Sequence, residues 1–206
     1  MDTILIIAPH ADDETLGCGG YLSRINKTGG LICYLLVTRQ PAWKNVTKMI
    51  SFYSFNKVIK LNYPPARLDE RKMCDIISDF RCVLDRICPS KVLLPYRNDA
   101  HSDHRVVFAA AVAALKPFRC VEQVKEIWEY ETLSETNQSE IPFDPNVFVS
   151  LSQADLDYKL EAMKMFERES ILYTRSEREI NALAVLRGSR VNLKYAEAYH
   201  SVRMVV

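Results

Sequence analysis

Short apolar runs alternate with longer amphipathic segments along the 206 residues of this chain. The short runs predict β-strands at residues 3–8, 31–37, 57–61, 91–94, 124–131 and 146–150. The runs at 3–8 and 31–37 are almost entirely apolar, which is typical of strands buried on both faces of a parallel sheet.

Longer segments with apolar residues at every third or fourth position lie between the strands and predict α-helices. They cover residues 15–28, 46–54, 68–88, 102–115, 153–168 and 176–187. The alternation of strands and helices is typical of a parallel α/β sheet. We therefore expect an α/β fold, a Rossmann-like three-layer sandwich with a mostly parallel sheet, in which residues 1–206 form a single domain.

Composition gives no sign of a nucleic-acid or membrane partner. Lys plus Arg number 27 against 26 Asp plus Glu, and no basic block occurs. No apolar run approaches the length of about 20 residues that a spanning helix needs, and the N-terminus has no export signal, so we expect a cytoplasmic protein without membrane insertion. Six cysteines without a Cys-x-x-Cys pair favour reduced, mostly buried thiols.

Ionisable side chains follow two of the predicted strands, at the point where each strand ends. After the strand at 3–8 come His10, Asp12, Asp13 and Glu14, and after the strand at 91–94 come His101, Asp103 and His104. Because parallel strands share one carboxyl edge, the two clusters can meet there. Adjacent acidic side chains repel one another unless a cation lies among them. The two clusters therefore indicate a metal site.

The residue types in the clusters also suggest chemical roles. Two histidines and one carboxylate would complete a catalytic zinc site, which keeps a fourth position for water, and ferrous iron accepts the same donors. If Asp13 binds the metal, Asp12 is free to take a proton from water. If His104 is a ligand, His101 can stabilise an oxyanion, and Asp103 can hold His101 in its charged form. These roles predict metal-assisted hydrolysis of an acyl bond.

Four segments resemble signatures of a known enzyme family. Residues 9–14 (Pro-His-Ala-Asp-Asp-Glu), followed by residues 17–20 (Gly-Cys-Gly-Gly), resemble the His-Pro-Asp-Asp-Glu motif of the LmbE-like (PIG-L) de-N-acetylases. Residues 101–105 resemble the second motif of that family, His-Pro-Asp-His, and residues 143–149 and 195–199 resemble its C-terminal signatures. The resemblance covers nearly the whole chain, with the motifs in the family's order.

Members of this family are zinc hydrolases that remove acetyl groups from N-acetylglucosamine-type conjugates, and the resemblance implies the same reaction here. Motif by motif, it implies His10, Asp13 and His104 as metal ligands, Asp12 as the base, and His101 as the residue for the oxyanion or for acid catalysis. It further implies one Zn²⁺ per chain, with Fe²⁺ as the alternative, and a small amino-sugar conjugate as the substrate. A homo-oligomer is suggested by analogy with relatives that assemble.

Some positions depart from the family pattern. Ala11 and Ser102 stand where the family has prolines. Lys44 aligns with an arginine that relatives use to hold substrate, so Lys44 is the predicted substrate-binding residue. A lysine ammonium is a point charge, whereas a guanidinium is a planar fork. The chemistry therefore carries over better than the identity of the conjugate.

Two other hypotheses remain open at this stage. The chain could be a nucleotide-binding α/β protein that uses residues 17–20, although these lack the spacing of the dinucleotide-binding fingerprint. It could also be a non-catalytic relative whose metal has a structural role, although a structural zinc normally has four protein ligands. Deacetylation of an amino sugar is the leading hypothesis.

Overall fold

A computed structural model describes residues 2–40, 43–117, 124–166 and 175–206. The strands are β1 (Thr3–Ala8), β2 (Leu31–Thr38), β3 (Lys57–Tyr63), β4 (Lys91–Pro95), β5 (Glu126–Tyr130), β6 (Val147–Ser150) and β7 (Ala196–Met204). They form one sheet in the order β3-β2-β1-β4-β5-β7-β6. The pairings β1–β2, β1–β4, β2–β3 and β4–β5 are parallel, whereas β5–β7 and β6–β7 are antiparallel. The predicted α/β fold with a mostly parallel sheet is confirmed.

Helices cover both faces of this sheet. They are α1 (Asp13–Thr28), α2 (Trp43–Tyr53), α3 (Met73–Ile87), α4 (Ser102–Ala114), α5 (Leu133–Thr136), α6 (Gln153–Met163) and α7 (Glu177–Ser189). Side chains alternate across β1, so that Ile4 and Ile6 pack with α1, α2 and α6, while Leu5 and Ile7 pack with α3 and α4. This alternation produces the three layers that the sequence predicts.

The helix predicted over residues 68–88 begins five residues later than expected. A 3-10 turn at Leu68–Glu70 precedes α3. The backbone N–H groups of Ala66 and Leu68 donate to the carboxylate of Asp103 at 2.7 and 3.1 Å. These tertiary hydrogen bonds hold the segment outside the α-helix, which the periodicity of apolar residues could not reveal.

Smaller differences concern the ends of elements and one short helix. The helix predicted at 46–54 begins at Trp43, and the loop predicted at 132–146 contains the short helix α5. The helix predicted at 153–168 ends at Met163, and its last two predicted residues lie outside the described part of the chain.

The prediction that the thiols are mostly buried is wrong for three of the five cysteines within the described residues. Cys18 and Cys33 are buried. The exposed thiols are Cys74, Cys82 and Cys88. They lie on or directly after α3, whose opposite face packs against the sheet through residues such as Phe80. Cys120 lies outside the described residues.

Helix α1 carries glycines at points where it packs against the sheet and against the residue after β6. A Cβ atom on Gly17 would lie 2.2 Å from Cδ2 of Tyr130, and one on Gly20 would lie 2.6 Å from Cδ1 of Leu151. Real Cβ atoms essentially never show contacts under 3 Å, so a side chain at Gly17 would force either α1 or the Tyr130 ring to shift. The glycines thereby set the position of the helix whose first turn carries Asp13.

A buried ion pair also holds helix α1 in place. The Lys159 ammonium donates to Oε1 of Glu197 at 2.8 Å and to the carbonyl oxygen of Leu16 at 2.6 Å. The carboxylate of Glu197 also accepts the backbone N–H groups of Gly20 and Tyr21 at 2.8 and 2.7 Å. The pair therefore links α6 and β7 to backbone groups of α1 near the start of the helix.

Candidate metal centre

The candidate site lies where the strand order of the sheet reverses. β1 and β4 are neighbours, but the chain continues from β1 towards β2 on one side and from β4 towards β5 on the other. Such a switch point, at the carboxyl ends of the strands, is where open α/β sheets bind ligands. His10 lies two residues after β1, and His104 lies in the first turn of α4. The topology thus brings the two sequence clusters together.

The three predicted metal ligands converge at this point. Oδ2 of Asp13 lies 3.2 Å from Nδ1 of His10 and 3.2 Å from Nε2 of His104. One ligand atom from each residue lies within 4.8 Å of the others. Asp13 and His104 are buried, whereas the side chain of His10 is 19% exposed. The group is therefore compact and open on the side of His10.

The donor atoms of this group fit a divalent metal ion. Nε2 of His104 is buried and has no hydrogen-bond partner among the described residues, although the Asp13 carboxylate lies beside it. A buried polar atom without a partner is unusual and needs an explanation. Two imidazoles and one carboxylate are donors that Zn²⁺ and Fe²⁺ accept, and three protein ligands leave room for water or substrate. A bound cation would satisfy the unpartnered nitrogen.

The carboxylates of the site favour positive charge on the imidazoles of His10 and His104. Burial lowers the pKa of His10, but hydrogen bonds with Asp103 and Asp13 outweigh it and raise this pKa to about 9. Burial likewise opposes charge on His104, but Asp13 and Asp99 raise its pKa to about 10. Burial would raise the pKa of Asp13, yet His104 and His10 bring it well below its usual range. The carboxylates around the two imidazoles therefore outweigh the cost of burying positive charge there.

Asp99 is a functional candidate that the sequence interpretation missed. Its Oδ2 lies 2.7 Å from Nδ1 of His104, and its Oδ1 accepts the hydroxyl of Thr136 at 2.6 Å. Asp99 is fully buried. A carboxylate on the second nitrogen of a ligand histidine fixes the tautomer and the orientation of the ring. Asp99 thereby directs Nε2 of His104 towards Asp13.

Asp103 contacts a different histidine from the one predicted. Its Oδ2 lies 3.0 Å from Nε2 of His10, and the carboxylate also accepts backbone N–H groups from residues 66 and 68. The prediction that its carboxylate holds His101 in a charged form is therefore wrong. Asp103 contacts His101 only through its backbone N–H, which donates to Nδ1 of His101 at 3.1 Å.

His101 caps α4 and lies beside the metal group. Its ring centroid is 4.5 Å from that of His10 and 5.3 Å from that of His104. Burial, followed by the neighbouring histidines, lowers its pKa. Because Nδ1 accepts a backbone hydrogen bond, the neutral ring carries its proton on Nε2 and can donate from there. His10, His101 and Asp103 also form a second, overlapping group whose ligand atoms lie within 4.8 Å of one another.

Asp12 is buried next to the metal group in an unusual backbone conformation. Its φ of 146° lies in a region that residues other than glycine rarely adopt, and such strain is common at functional sites. Its carboxylate contacts the guanidinium of Arg175. Burial, together with the charge of Asp13, raises the pKa of Asp12 to about 8, and Arg175 opposes this shift. No sequence motif predicts the contact between Asp12 and Arg175.

Glu14 stabilises the segment between β1 and α1 that contains Asp12. It is fully buried, accepts the hydroxyls of Tyr34 at 2.9 Å and Thr15 at 2.7 Å, and accepts the backbone N–H of Asp12 at 3.2 Å. Burial raises its pKa to about 7. Its contacts are with the protein interior, so Glu14 has a structural place in the loop.

Lys44 lies in the first turn of α2 and is exposed. It lines an open surface groove of about 660 Å³ with residues such as Phe52 and Met165. Within the described part of the chain, no hydrogen bond or ion pair connects Lys44 to the metal group. Its role in substrate binding stays a prediction.

The glycines that could have bound a nucleotide are used for packing instead. Gly17 and Gly20 are buried inside α1 and lie against Tyr130 and Leu151. A phosphate-binding loop needs glycine backbone groups that a ligand can reach. This arrangement argues against the nucleotide-binding hypothesis.

Comparison with known proteins adds independent findings. The sequence model of the family described as GlcNAc-PI de-N-acetylase (PIG-L) matches residues 5–115, a span that contains both clusters. The uncharacterized deacetylase YaiS of Escherichia coli (strain K12) is 28% identical over 177 residues, which are 78% of this chain and 88% of YaiS.

Two solved structures show the same fold. The N,N'-diacetylchitobiose deacetylase of Pyrococcus horikoshii is 18% identical with a TM-score of 0.78, over 98% of this chain and 84% of that protein. GalB, the 4-carboxy-2-hydroxymuconate hydratase of Pseudomonas putida KT2440, is 16% identical with a TM-score of 0.79, over 100% and 98% of the two chains. The TM-scores establish a shared fold. The names of the two proteins describe different reactions, so the fold alone does not identify the chemistry.

One further observation concerns membranes. Among the helices that the structure describes, none is both long and apolar enough to span a bilayer.

Proposed function

Because this chain belongs to the GlcNAc-PI de-N-acetylase (PIG-L) family, we propose that it is a metal-dependent hydrolase. It removes the acetyl group from an N-acetylated amino sugar, free or conjugated. The observation that carries the proposal is the convergence of one ligand atom each from His10, Asp13 and His104 to within 4.8 Å of one another. The family description and the name of YaiS support deacetylation as the reaction.

His10, Asp13 and His104 hold the metal in this proposal, with one ion per chain. When bound, Zn²⁺ or Fe²⁺ supplies Lewis acidity for the amide carbonyl and for the attacking water. Asp99 orients His104 and Asp103 orients His10, each through a carboxylate on an imidazole nitrogen.

The remaining residues move protons and stabilise charge. Asp12 takes a proton from the water whose oxygen attacks the carbonyl carbon of the acetamide. His101 donates a hydrogen bond from Nε2 to the carbonyl oxygen as negative charge develops on it. The bond between carbon and nitrogen then breaks, and the amine accepts a proton from Asp12 or His101. The products are acetate and the free amino sugar.

We further propose a substrate class, a domain organisation and a location for this protein. The substrate is a small GlcNAc-type conjugate, with Lys44 at its binding surface. Residues 1–206 act as one deacetylase domain, and this domain is located in the cytoplasm. The chain forms a homo-oligomer, which light scattering after size-exclusion chromatography tests.

Acetate release is the experiment that tests the proposed function. Metal-free protein is incubated with Zn²⁺ or Fe²⁺ and a panel of N-acetylhexosamine derivatives, among them N-acetylglucosamine, its glycosides and N,N'-diacetylchitobiose. We expect release of acetate and free amine in equal amounts from at least one compound. The absence of acetate from every compound with either metal would contradict the proposal.

Asp12→Asn distinguishes an enzyme from a relative with a purely structural metal. The amide cannot accept the proton from water, so we expect the variant to keep its metal while losing turnover by a factor of about 10²–10⁴. A wild-type protein that binds metal and releases no acetate would favour the structural alternative.

A further inference from the structure

Arg175 enters the candidate site from a distant part of the chain. It precedes α7 and lies outside the segment that the family model matches. Its side chain is 18% exposed. The guanidinium contacts the carboxylate of Asp12, its Nε donates to the hydroxyl of Ser134 at 3.0 Å, and its Nη2 lies 3.5 Å from Oε1 of Glu135. One cation thus contacts the segment between β1 and α1 and the short helix α5.

The groups that Arg175 contacts follow two strands, β1 and β5, that are separated by β4 in the sheet. Asp12 follows β1, whereas Ser134 and Glu135 belong to α5, which follows β5. A guanidinium is a rigid planar fork, so contacts on separate edges fix its orientation and therefore the orientation of the carboxylate it holds. The Arg175 side chain connects the wall formed by α5 to the carboxylate of Asp12.

The surroundings of Asp12 explain why a cation is needed there. Asp12 is 4% exposed and is followed in the chain by the buried carboxylates of Asp13 and Glu14. A buried carboxylate without a partner is unfavourable, and the like charges beside it add repulsion. Among the ion pairs of the described residues, Arg175 is the cationic side chain that pairs with Asp12.

We infer that Arg175 is a positioning residue of the proposed deacetylation, which holds the Asp12 carboxylate in the orientation that proton transfer from water requires. This inference rests on the proposed function, in which Asp12 is the base. Arg175 acts through Asp12 and is not assigned a contact with substrate. Misplacement of a reacting group by about 1 Å can cost a factor of 10² in rate, so we expect a loss of that order in kcat.

Chemical rescue is the test. Arg175→Ala should lower kcat about 10²-fold with little change in KM and with the metal content of the wild type. Guanidinium chloride at low millimolar concentration should restore part of kcat by filling the space of the lost side chain. Urea, which has the same shape without the charge, and sodium chloride should not restore it. The matched control is Arg178→Ala, because the Arg178 side chain is 89% exposed and its loss should leave kcat unchanged.

Three outcomes would overturn the inference. They are a wild-type kcat in Arg175→Ala, a lowered kcat that guanidinium does not restore, and equal restoration by urea. If Arg175→Ala does not fold, Arg175→Lys keeps the charge without the fork, and a wild-type kcat in that variant overturns the inference.

A second measurement separates this inference from the proposed function. If the wild type releases no acetate, the proposed function fails first. The contact can then be tested in metal-free protein through the shifts in Tm of Arg175→Ala, Asp12→Ala and the double variant. A double shift smaller than the sum of the single shifts supports the contact, and an additive result overturns it.

Discussion

Oδ2 of Asp99 lies 2.7 Å from Nδ1 of His104, so the carboxylate directs the opposite nitrogen of the ring towards Asp13. Asp99 is held in turn by the hydroxyl of Thr136. The position of a predicted metal ligand thus depends on a residue that contacts no metal itself. The first prediction follows from this relationship.

Asp99→Asn should weaken metal binding about 10–100-fold, because the neutral amide neither orients His104 as firmly nor increases its basicity. Competition with a chromophoric chelator measures the affinity. Asp144→Asn is the matched control, since the Asp144 side chain is 85% exposed and its change should leave the affinity as it is. An Asp99→Asn protein that binds Zn²⁺ as tightly as the wild type would show that the contact has no such role.

His101→Ala should lower kcat by a factor of about 10²–10³ while the metal content stays at the wild-type level. The expected loss is that of one hydrogen-bond donor to the developing oxyanion. His200→Ala is the matched control, because His200 lies on β7 and contacts the carbonyl oxygen of Asp144. A loss of metal from His101→Ala would instead assign His101 to the ligands, through the overlapping group with His10 and Asp103.

Metal affinity should rise with pH, because the metal displaces protons from His10 and His104. Their pKa values in the folded protein, about 9 and about 10, exceed the usual value of 6.5. These protons therefore stabilise the metal-free fold fully below pH 6.5, and the stabilisation is lost as the pH rises through 9 and 10.

Calorimetry in buffers of different ionisation enthalpy measures this exchange. At pH 7.5 we expect Zn²⁺ binding to release about two protons from the two imidazoles. An affinity that does not change between pH 6 and pH 9 would be inconsistent with displacement of protons from these residues.

Lys159→Met should reduce the free energy of unfolding by about 3–5 kcal/mol, because it leaves the buried carboxylate of Glu197 without its cation. Urea denaturation of the metal-free protein measures this change. Lys164→Met is the control, since the Lys164 side chain is 67% exposed and its loss should change stability by less than about 0.5 kcal/mol. Equal changes in the free energy of unfolding for the two substitutions would mean that the buried ion pair does not stabilise the fold.

Much of the fold and of the metal group was predictable because the signals are local. The apolar run at residues 3–8 and the polar residues that follow it show both a buried strand and its functional end. His101, Asp103 and His104 follow another strand in the same way. Since parallel strands share one carboxyl edge, local patterns were enough to predict that distant side chains meet.

The contacts that were missed depend on tertiary structure. Asp99 looks like an ordinary turn residue, and only the need of a ligand histidine for a carboxylate on its second nitrogen could have pointed to it. Arg175 belongs to no motif and reaches Asp12 from the other end of the chain. Closeness in sequence suggests a contact between the Asp103 carboxylate and His101. In the structure, the loop after β1 brings His10 to the Asp103 carboxylate instead.

The most direct test of the account is a titration of metal-free protein with Zn²⁺ in which bound metal and acetate release are followed in the same samples. We predict that activity rises in proportion to bound metal and reaches its plateau at one ion per chain, and that His104→Ala shows neither tight binding nor activity. Full acetate release without metal, or unchanged tight binding and activity in His104→Ala, would contradict the assignment of this site.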